Sequence, residues 1–384
     1  MRIVHLVNYI QPQLGYQEYF LAREHARMGN TVTVVASDRY YPFPDYRSTA
    51  YPILGKRKVG AGEWCSDGFK IIRLKALFEL GTKTWLLGLR KTIQRLQPDL
   101  LINHGMADFN ALRVAALKRR CGFRLIYDDH TLRSERKLGL ARSFFYLLYP
   151  FRYIARHADR LIGVSPECVD VAVELYGFPR SRVELIPLGA DAELFRFDPE
   201  LRRAFRTAHG IADDEVVIVY TGKLTASKGP HLIARAVRSL RAKLTRKLIL
   251  LFVGNLDEAY RDAFECETAS MPDSVRVLLM PAVPNPELVT VYSGSDIAVW
   301  PRLASISTIE AASCARPIIC CDFLTERYKN GNGIPVKEDD TDDLAQAILR
   351  LVNDEELRRT MGQRGRELVE RELSWKVIAR RFLE

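Results

Sequence analysis

Short apolar runs recur along the chain and alternate with longer stretches in which apolar and charged residues follow a helical spacing. Most of the short runs are continuously apolar and rich in Val, Ile and Leu, which is typical of parallel strands covered by helices on both faces. The pattern predicts strands at residues 2–8, 31–37, 69–74, 99–103, 124–128, 160–164, 183–187, 216–221, 247–253, 275–280, 296–300 and 317–321. We therefore expect an α/β fold with doubly wound parallel sheets.

The series of predicted strands restarts once, which indicates two domains. A charged helix is predicted around residues 199–209, and the second series begins at Val216. A chain of 384 residues also favours two domains over one. The pattern predicts Rossmann-like domains at residues 1–192 and 193–365 that face each other across a cleft, and a C-terminal helix at residues 366–384 that packs back on the first domain.

Composition places the chain among ordinary globular proteins, with 47% hydrophobic and 27% charged residues. No apolar run is long enough to cross a bilayer, and the chain opens with a strand-like run instead of an apolar leader, so we expect a cytoplasmic protein. The seven cysteines show no C-x-x-C spacing, and Cys320 and Cys321 lie in an apolar strand. We expect buried thiols in a reducing compartment, with neither a disulfide framework nor a zinc site.

The net charge of +10 is unevenly distributed. Residues 131–160 contain seven basic and two acidic side chains, and therefore half of the excess. The same stretch is rich in large apolar side chains, namely Phe144, Phe145, Tyr146, Leu147, Leu148, Tyr149, Phe151 and Tyr153. For the aromatic rings a place in the core is slightly favoured, whereas the charges favour an anionic contact, and attachment to an anionic membrane surface is left open. Nucleic acid is the weaker explanation, because no known recognition pattern accompanies the charge.

The most informative segment is SISTIEAASCARPIICC, at residues 305–321. It predicts a polar turn, a short helix that contains Glu310, and a buried strand. A loop that opens a helix presents unpaired N–H groups that suit a phosphate, and a carboxylate one turn further in can accept hydrogen bonds from the two hydroxyls of a ribose. Ser307 and Glu310 also fit a capping box. The segment by itself therefore leaves a nucleotide-sugar site and a simple helix cap open.

A glycine turn with two lysines follows the first strand of the second predicted domain. Lys223 and Lys228 are flanked by Gly222 and Gly229, ahead of a helix that begins with Pro230. Two ammonium groups at the carboxyl end of a strand would neutralise a diphosphate leaving group. Lysines in loops are usually only solvated, but a pair of them on a glycine turn favours phosphate binding.

The loop after the first strand contains a single glycine, Gly15. A dinucleotide fingerprint needs three glycines, so an NAD-type enzyme is not expected, although Gly15 would let a ligand approach the backbone. His130 follows the fifth strand and would lie at the mouth of the cleft, where it could donate to a substrate hydroxyl or be an ordinary surface histidine. Asp128 and Asp129 point to opposite faces of a strand, so a shared metal ion is not expected.

Several segments together resemble the GT-B glycosyltransferases of the large retaining family called family 4, or glycosyl transferases group 1. The resemblance is carried by the opening strand with its glycine loop, YDDH at residues 127–130, ADRLIGVS at 158–165, IPLGAD at 186–191, GKLTASKG at 222–229, SDIAVWP at 295–301, and EAA at 310–312 with PII at 317–319. These segments follow the family's order and span nearly the whole chain.

The resemblance implies a catalytic role for two residues. Lys228 would bind the donor diphosphate as it leaves, and His130 would lie beside the transferred sugar. Lys223 would take the place that the family usually gives to an arginine. The resemblance implies neither a metal ion nor another cofactor.

The resemblance also implies a donor-binding set. Glu310 would hold the ribose, residues 305–307 would donate to the phosphates, and the backbone near Met280 would meet the base. The predicted donor-binding residues are Gly15, Gly222, Lys223, Lys228, Met280, Ser305, Ile306, Ser307 and Glu310.

Two positions depart from the family pattern. Arg302 stands where the family has the first of two acidic residues, which affects contacts to the sugar. Gly15 is followed by Tyr16 instead of a second glycine, which affects the acceptor side.

The predicted function is retaining transfer of a sugar from a UDP- or GDP-sugar to a hydroxyl of a glycan or lipid-linked acceptor. The leaving phosphate would help to remove the acceptor proton. Two other interpretations are weighed against it. A nucleotide-sugar epimerase would need acid–base groups on both sides of the sugar, and the loops offer one clear candidate, His130. A non-catalytic sugar-nucleotide binder is favoured only by Arg302.

Overall fold

The computed structural model describes residues 1–131, 148–303 and 305–384. It divides into two compact units. The first unit comprises Met1–Leu188 together with Ile378–Glu384, and the second unit comprises Gly189–Val377. Each unit is an α/β layer structure around its own sheet.

The strands of the first unit are β1 (Arg2–Leu6), β2 (Thr31–Ser37), β3 (Gly62–Ser66), β4 (Phe69–Leu74), β5 (Ala76–Leu80), β6 (Lys83–Leu86), β7 (Leu100–His104), β8 (Arg124–Asp129), β9 (Arg160–Gly163) and β10 (Val183–Leu185). Those of the second unit are β11 (Val216–Thr221), β12 (Leu248–Val253), β13 (Val275–Met280), β14 (Ile297–Trp300), β15 (Ile318–Cys321) and β16 (Gly333–Val336).

The helices of the first unit are α1 (Gln17–Arg27), α2 (Tyr46–Thr49), α3 (Tyr51–Leu54), α4 (Leu89–Leu96), α5 (Phe109–Cys121), α6 (Phe151–His157) and α7 (Pro166–Glu174). Those that follow are α8 (Pro199–Ala208), α9 (Pro230–Ser239), α10 (Arg261–Ala269), α11 (Leu288–Gly294), α12 (Ser307–Ser313), α13 (Thr325–Tyr328), α14 (Thr341–Asn353), α15 (Glu355–Leu368) and α16 (Trp375–Leu383). A π-helical segment, Val369–Leu373, joins the last two.

Both sheets have the doubly wound strand order. In the second unit the order is β13-β12-β11-β14-β15-β16, and all neighbours are parallel. In the main sheet of the first unit it is β10-β9-β8-β7-β1-β2-β4-β3, and within the described part of that sheet β3 alone is antiparallel. The order reverses between β11 and β14 and between β1 and β7, and ligands bind such sheets outside the carboxyl ends of the strands at that reversal.

The twelve predicted strands are all present, within two residues at each end. They were predictable because both of their faces are covered: every residue of β11 and of β12 is buried. Four further strands were missed. β3 is an edge strand that is mostly exposed, β16 is an edge strand that contains Pro335, and β5 and β6 form a separate hairpin with exposed apolar side chains.

The last seven residues of the chain belong to the first unit. Arg124 donates to the carbonyl oxygen of Leu383 at 3.1 Å, and Arg160 donates to that of Arg381 at 2.7 Å. Arg381 in turn donates to Glu184 at 3.0 Å. The preceding residues 366–377 are grouped with the second unit.

All seven cysteines are free thiols. The expectation of buried thiols is wrong for Cys65 and Cys266, which are exposed, because one lies on the edge strand β3 and the other on the outer side of α10. Four are buried, namely Cys168, Cys314, Cys320 and Cys321. Within the described residues, no helix is both long and apolar enough to cross a membrane.

The basic stretch at residues 131–160 lies mostly outside the described residues, since residues 132–147 are not among them. In the part that is described, Phe151 is buried and stacks on Tyr176, with ring centroids 4.2 Å apart. Leu148 and Tyr153 are exposed. The prediction of core-facing side chains is therefore confirmed for Phe151 and wrong for Tyr153, which lies on the outer side of α6.

Candidate functional site

The loops that follow β11 and β14 meet at the point where the strand order of the second sheet reverses. These two strands are paired neighbours, with Ile218 opposite Ile297 and Val219 opposite Ala298. Their carboxyl ends lead into residues 222–229 and into residues 301–303, with residues 305 and 306 just before α12. The two segments singled out from the sequence are therefore adjacent in the structure, at the edge where a parallel sheet binds ligands.

Two glycines allow the backbone at this edge to close up. Gly222 follows β11 with φ of 136°, and Gly254 follows β12 with φ of 155°. A Cβ atom on Gly254 would lie 1.8 Å from the carbonyl oxygen of Gly222, which no side chain tolerates. The loop after β11 consequently folds down against the end of β12.

Lys228 lies in the single turn Ala226–Lys228, just before Gly229 and the first residue of α9. Its Nζ donates to the carbonyl oxygen of Leu303 at 3.3 Å. Burial lowers the pKa of Lys228, and the nearby charge of Lys223 lowers it further. Lys223 itself is exposed. The structure thus brings the two predicted lysines together, with one partly desolvated and one open to solvent.

Arg302 braces the same turn from the other loop. Its Nε donates to Asp339 Oδ1 at 2.6 Å, and its Nη1 donates to the carbonyl oxygen of Ala226. A Cβ atom on Gly229 would lie 2.9 Å from Arg302 Cδ, so the arginine stem passes directly over that glycine. The residue that departs from the family pattern therefore holds the lysine turn and adds a third positive charge to it.

The turn before α12 is held by its own hydroxyl groups. Ser305 Oγ donates to Ser307 Oγ at 3.0 Å, and the Ser307 N–H donates to Ser305 Oγ at 3.3 Å. Ile306 precedes the helix as its N-cap, and its apolar side chain makes no capping hydrogen bond. The capping-box interpretation is therefore wrong, because Glu310 does not bond back to the start of the helix.

Glu310 is instead engaged with two side chains that precede β14, one from the turn Asn285–Glu287 and one from α11. Its Oε1 accepts a hydrogen bond from Asn285 Nδ2 at 2.7 Å, and its carboxylate also accepts from Tyr292. Only 2% of Glu310 is exposed, and this burial raises the pKa of its carboxyl group to about 7. Tyr292 OH and Thr221 Oγ1 lie 2.8 Å apart, which links the group to the end of β11.

Met280 ends β13 and is half-buried. Its carbonyl oxygen accepts a hydrogen bond from the Gly254 N–H at 3.0 Å. Met280 therefore lies on the same edge of the second sheet as Gly222, separated from it by the glycine at the end of β12.

Gly15 and His130 belong to the first unit, on the carboxyl edge of its sheet. Gly15 ends the turn Pro12–Leu14 with φ of 66°, in the left-handed region that favours glycine. His130 Nε2 lies 3.3 Å from Asp128 Oδ1, and its side chain is 46% exposed. Although partial burial opposes it, the carboxylate of Asp128 raises the pKa of His130 to about 9, with smaller contributions from Asp129 and Glu18.

Asp128 and Asp129 point to opposite sides of β8. Asp128 contacts His130 and accepts from His104 Nδ1 at 2.8 Å, whereas Asp129 accepts from Tyr176 OH at 3.2 Å. Across the described part of the chain, no group of three or more His, Cys, Asp or Glu side chains is arranged to hold a metal ion.

Two family models match this chain in succession. The model described as Glycosyltransferase Family 4 matches residues 19–194, and the model described as Glycosyl transferases group 1 matches residues 202–368. Together they cover both units. The chain belongs to glycosyltransferase family 4.

Curated relatives of this family 4 protein are distant. A protein named D-inositol 3-phosphate glycosyltransferase from Nocardia farcinica is 31% identical over 257 residues, which are 63% of this chain and 56% of the relative. The match therefore spans little more than half of the relative's length.

Solved structures cover the whole family 4 chain and show its fold. Sucrose-phosphate synthase from Thermosynechococcus elongatus has a TM-score of 0.71 at 19% identity, covering 99% of this chain and 96% of its own. The Anabaena protein HepE in complex with UDP has a TM-score of 0.69 at 15% identity, covering 100% and 98%. With parallel sheets in both units, the fold is GT-B.

Sequence reasoning missed three partners of the predicted site residues. Asn285 and Tyr292 contact Glu310, and His104 contacts Asp128. His104 had a detectable signal, since it ends an apolar strand and is the register partner of Asp128. Nothing in the sequence singled out Asn285, which lies in an ordinary polar turn.

A cavity of about 210 Å³ lies in the second unit but away from these residues. It is lined by Val216 and Pro317, at the amino ends of the strands, together with five arginines and five carboxylates. Its charges balance, and parallel sheets bind ligands at the opposite edge, so we do not assign the donor to this cavity.

Proposed function

We propose that this chain transfers a sugar from a nucleotide-diphosphate sugar to a hydroxyl group of an acceptor. The observation that carries the proposal is the partly desolvated ammonium group of Lys228, held near Lys223 and against the carbonyl oxygen of Leu303 where the strand order reverses. Positive groups placed there stabilise the charge that develops on a departing diphosphate.

The reaction that we propose proceeds with retention. The bond between the sugar C1 and the phosphate oxygen breaks, and the phosphate keeps the electron pair. The acceptor oxygen attacks C1 from the same face and gives its proton to the leaving phosphate. Lys228 would give up its 3.3 Å hydrogen bond to the carbonyl oxygen of Leu303. A charge-assisted hydrogen bond to a phosphate oxygen would replace it.

We propose that Glu310 binds the ribose. Asn285 Nδ2 now donates to the buried carboxylate at 2.7 Å, and a ribose hydroxyl would take over the same acceptor once the amide moves aside. Because the pKa of Glu310 is about 7, the ionised form that accepts two hydroxyls is gained as the pH rises through neutrality.

His130 is proposed to meet the transferred sugar. Asp128 contacts its Nε2, which leaves Nδ1 directed away from that carboxylate and able to donate to a sugar hydroxyl. With a pKa of about 9, the ring is protonated at neutral pH and both of its nitrogens are donors.

UDP is the first donor nucleotide to test, because the Anabaena protein HepE was solved with UDP and with UDP-glucose. GDP is the second, and we propose a glycan or lipid-linked acceptor. The test is a thermal-shift screen against UDP, GDP, ADP and dTDP, since a ligand at 100 times its Kd stabilises the folded state by about 2.7 kcal/mol. Lys228→Ala should abolish the shift, and Lys243→Ala, an exposed lysine of the same unit, should keep it. A chain that responds to none of the four nucleotides would contradict the proposal.

Donor turnover then separates transfer from the alternatives. We expect nucleoside diphosphate to be released when a hydroxyl acceptor is added. An altered sugar without acceptor would indicate an epimerase, and tight binding without release would indicate a non-catalytic binder.

We further propose that the protein is cytoplasmic and attaches to an anionic membrane surface through the β5–β6 hairpin. The hairpin exposes Leu77 by 58%, Phe78 by 42% and Leu80 by 66%. The stretch of sequence that contains the hairpin, residues 39–95, has twelve basic and four acidic side chains. Exposed apolar side chains beside a basic excess suit an anionic lipid interface.

The membrane proposal is tested with vesicles. We expect salt-sensitive binding to phosphatidylglycerol vesicles and none to phosphatidylcholine vesicles. Phe78→Ser with Leu80→Ser should weaken binding, whereas Leu279→Ser, an equally exposed residue of the second unit, should not. Equal binding by all variants, or none by the parent, would refute it.

A further inference from the structure

Three histidines in the interior of the first unit form an unbroken hydrogen-bonded chain. His25 Nε2 lies 2.8 Å from the carbonyl oxygen of Ala379, and His25 Nδ1 lies 3.0 Å from His5 Nε2. His5 Nδ1 lies 2.9 Å from His104 Nε2, and His104 Nδ1 lies 2.8 Å from Asp128 Oδ2. The chain therefore begins at the C-terminal helix α16 and ends on the carboxylate that contacts His130.

The backbone carbonyl gives the chain a direction. A carbonyl oxygen only accepts, so His25 must carry its proton on Nε2 and accept at Nδ1 if the ring is neutral. His5 then donates from Nε2 and accepts at Nδ1. By the same rule, His104 must donate to His5 from Nε2.

Both inner rings are held neutral. Burial lowers the pKa of His25 to about 4, and it lowers the pKa of His5 well below the ordinary value, with further lowering from the neighbouring histidines. Near neutral pH, therefore, neither His5 nor His25 takes up a second proton, and each can donate from only one of its ring nitrogens.

The additional proton that this hydrogen-bond order requires must therefore lie on His104 or on Asp128. A neutral His104 with its proton on Nε2 would present a lone pair to a carboxylate, which is also an acceptor. The 2.8 Å contact needs one more proton between the two groups. Burial opposes ionisation of Asp128, but the charge of His130 lowers the pKa of this carboxyl, so the proton belongs on His104, which is then an imidazolium.

We propose that the chain from Ala379 through His25 and His5 keeps His104 doubly protonated, and that His104 thereby positions Asp128 and sets the charge state of His130. His5, His25 and His104 are positioning residues, since none of them needs to touch the substrate. The consequence for activity rests on the proposed role of His130, but the protonation pattern does not.

The charged groups around Asp128 come from three elements. His104 ends β7, Asp128 and Asp129 end β8 just before His130, and Glu18 lies in the first turn of α1. The Glu18, Asp128 and Asp129 carboxylates raise the proton affinity of His130. A positive His104 opposes them, so removing its charge should raise the proton affinity of His130 further.

The direct test is ¹⁵N NMR of the full chain labelled at histidine, at pH 7.5. We expect His104 with both ring nitrogens protonated, and His5 and His25 neutral with the proton on Nε2. Among the seven histidines, His157, His209 and His231 lie outside the chain and serve as references. A neutral His104, or a proton on Nδ1 of His25, would overturn the proposal whether or not the protein is a transferase.

A pair of variants separates positioning from packing. In His5→Gln the amide oxygen can accept from His104 and the amide nitrogen can donate to His25, so we expect His104 to stay doubly protonated. His5→Leu fills the space without either group, so His104 should revert to a neutral ring and the pH at which His130 titrates should rise by at least half a unit. Equal behaviour of the two variants would show that the chain only packs. Loss of activity in His5→Gln with an unchanged NMR pattern would contradict the proposed role of His130 and leave the protonation pattern standing.

Discussion

Replacing Glu310 by glutamine should remove a loss of stability that the parent suffers above neutral pH, and should weaken nucleotide binding in the same protein. The carboxyl group is 2% exposed, and burial raises its pKa from the ordinary 4.5 to about 7. An acid with a raised pKa destabilises the folded state once it is ionised, because the unfolded chain loses its proton more easily. The penalty is absent below pH 4.5, grows between pH 4.5 and 7, and is complete above pH 7.

The magnitude follows from the two pKa values. One pKa unit corresponds to about 1.4 kcal/mol, so the change from 4.5 to about 7 costs the folded state about 3 kcal/mol above pH 7. The glutamine also places an extra N–H group in the buried site, which costs about 1–3 kcal/mol if it stays unpaired. That second cost does not depend on pH, so the pH dependence isolates the carboxylate.

The assay is thermal unfolding of the parent and of Glu310→Gln at pH 4.5 and at pH 8. For a unit of the size of Gly189–Val377, about 3 kcal/mol corresponds to roughly 6–12 °C. We expect the variant to gain that much relative to the parent between the two pH values, while its affinity for UDP falls roughly 10–100-fold through the loss of charged hydrogen bonds. A difference between the two proteins that is the same at both pH values would refute the reasoning.

Further predictions concern the lysine turn, His130 and the contact between Gly254 and Gly222. Lys228→Ala should lower the rate of nucleoside diphosphate release by about 10²–10³-fold, while Lys243→Ala should leave it unchanged in the same assay. The pKa of His130 is raised from 6.5 to about 9, so its ion pair with the carboxylate stabilises the fold fully below pH 6.5 and is lost as the pH rises through about 9. The melting temperature of His130→Gln should therefore be lower than that of the parent at pH 6.5 and equal to it at pH 10. The same difference in melting temperature at both pH values would contradict this. Gly254→Ala should lower the free energy of unfolding, measured in urea, by more than about 3 kcal/mol, because the new Cβ would lie 1.8 Å from a backbone oxygen. A variant as stable as the parent would show that the loops after β11 and β12 move apart at little cost.

Much of the fold follows from local pattern alone. A strand such as β12, which is buried on both faces, must be apolar at every position, and that leaves a mark in its sequence. The edge strand β3 and the hairpin strand β5 carry no such mark, because solvent reaches both of their faces. The lysine turn after β11 was also predictable, because Gly222 and Gly229 stand at its two ends and Pro230 begins the helix that follows.

The chemistry of individual side chains was decided by contacts between distant parts of the chain. Glu310 takes its partner from Asn285, 25 residues earlier, and its pKa from the burial that this packing creates. His25 and Ala379 are 354 residues apart, yet their contact sets the direction of the histidine chain. By itself the sequence determined where the strands with two covered faces, the lysine turn and Glu310 fall, because each of these is a local pattern of burial or backbone shape. The tertiary structure alone decided which groups hold protons, because proton affinity depends on the neighbours that folding supplies.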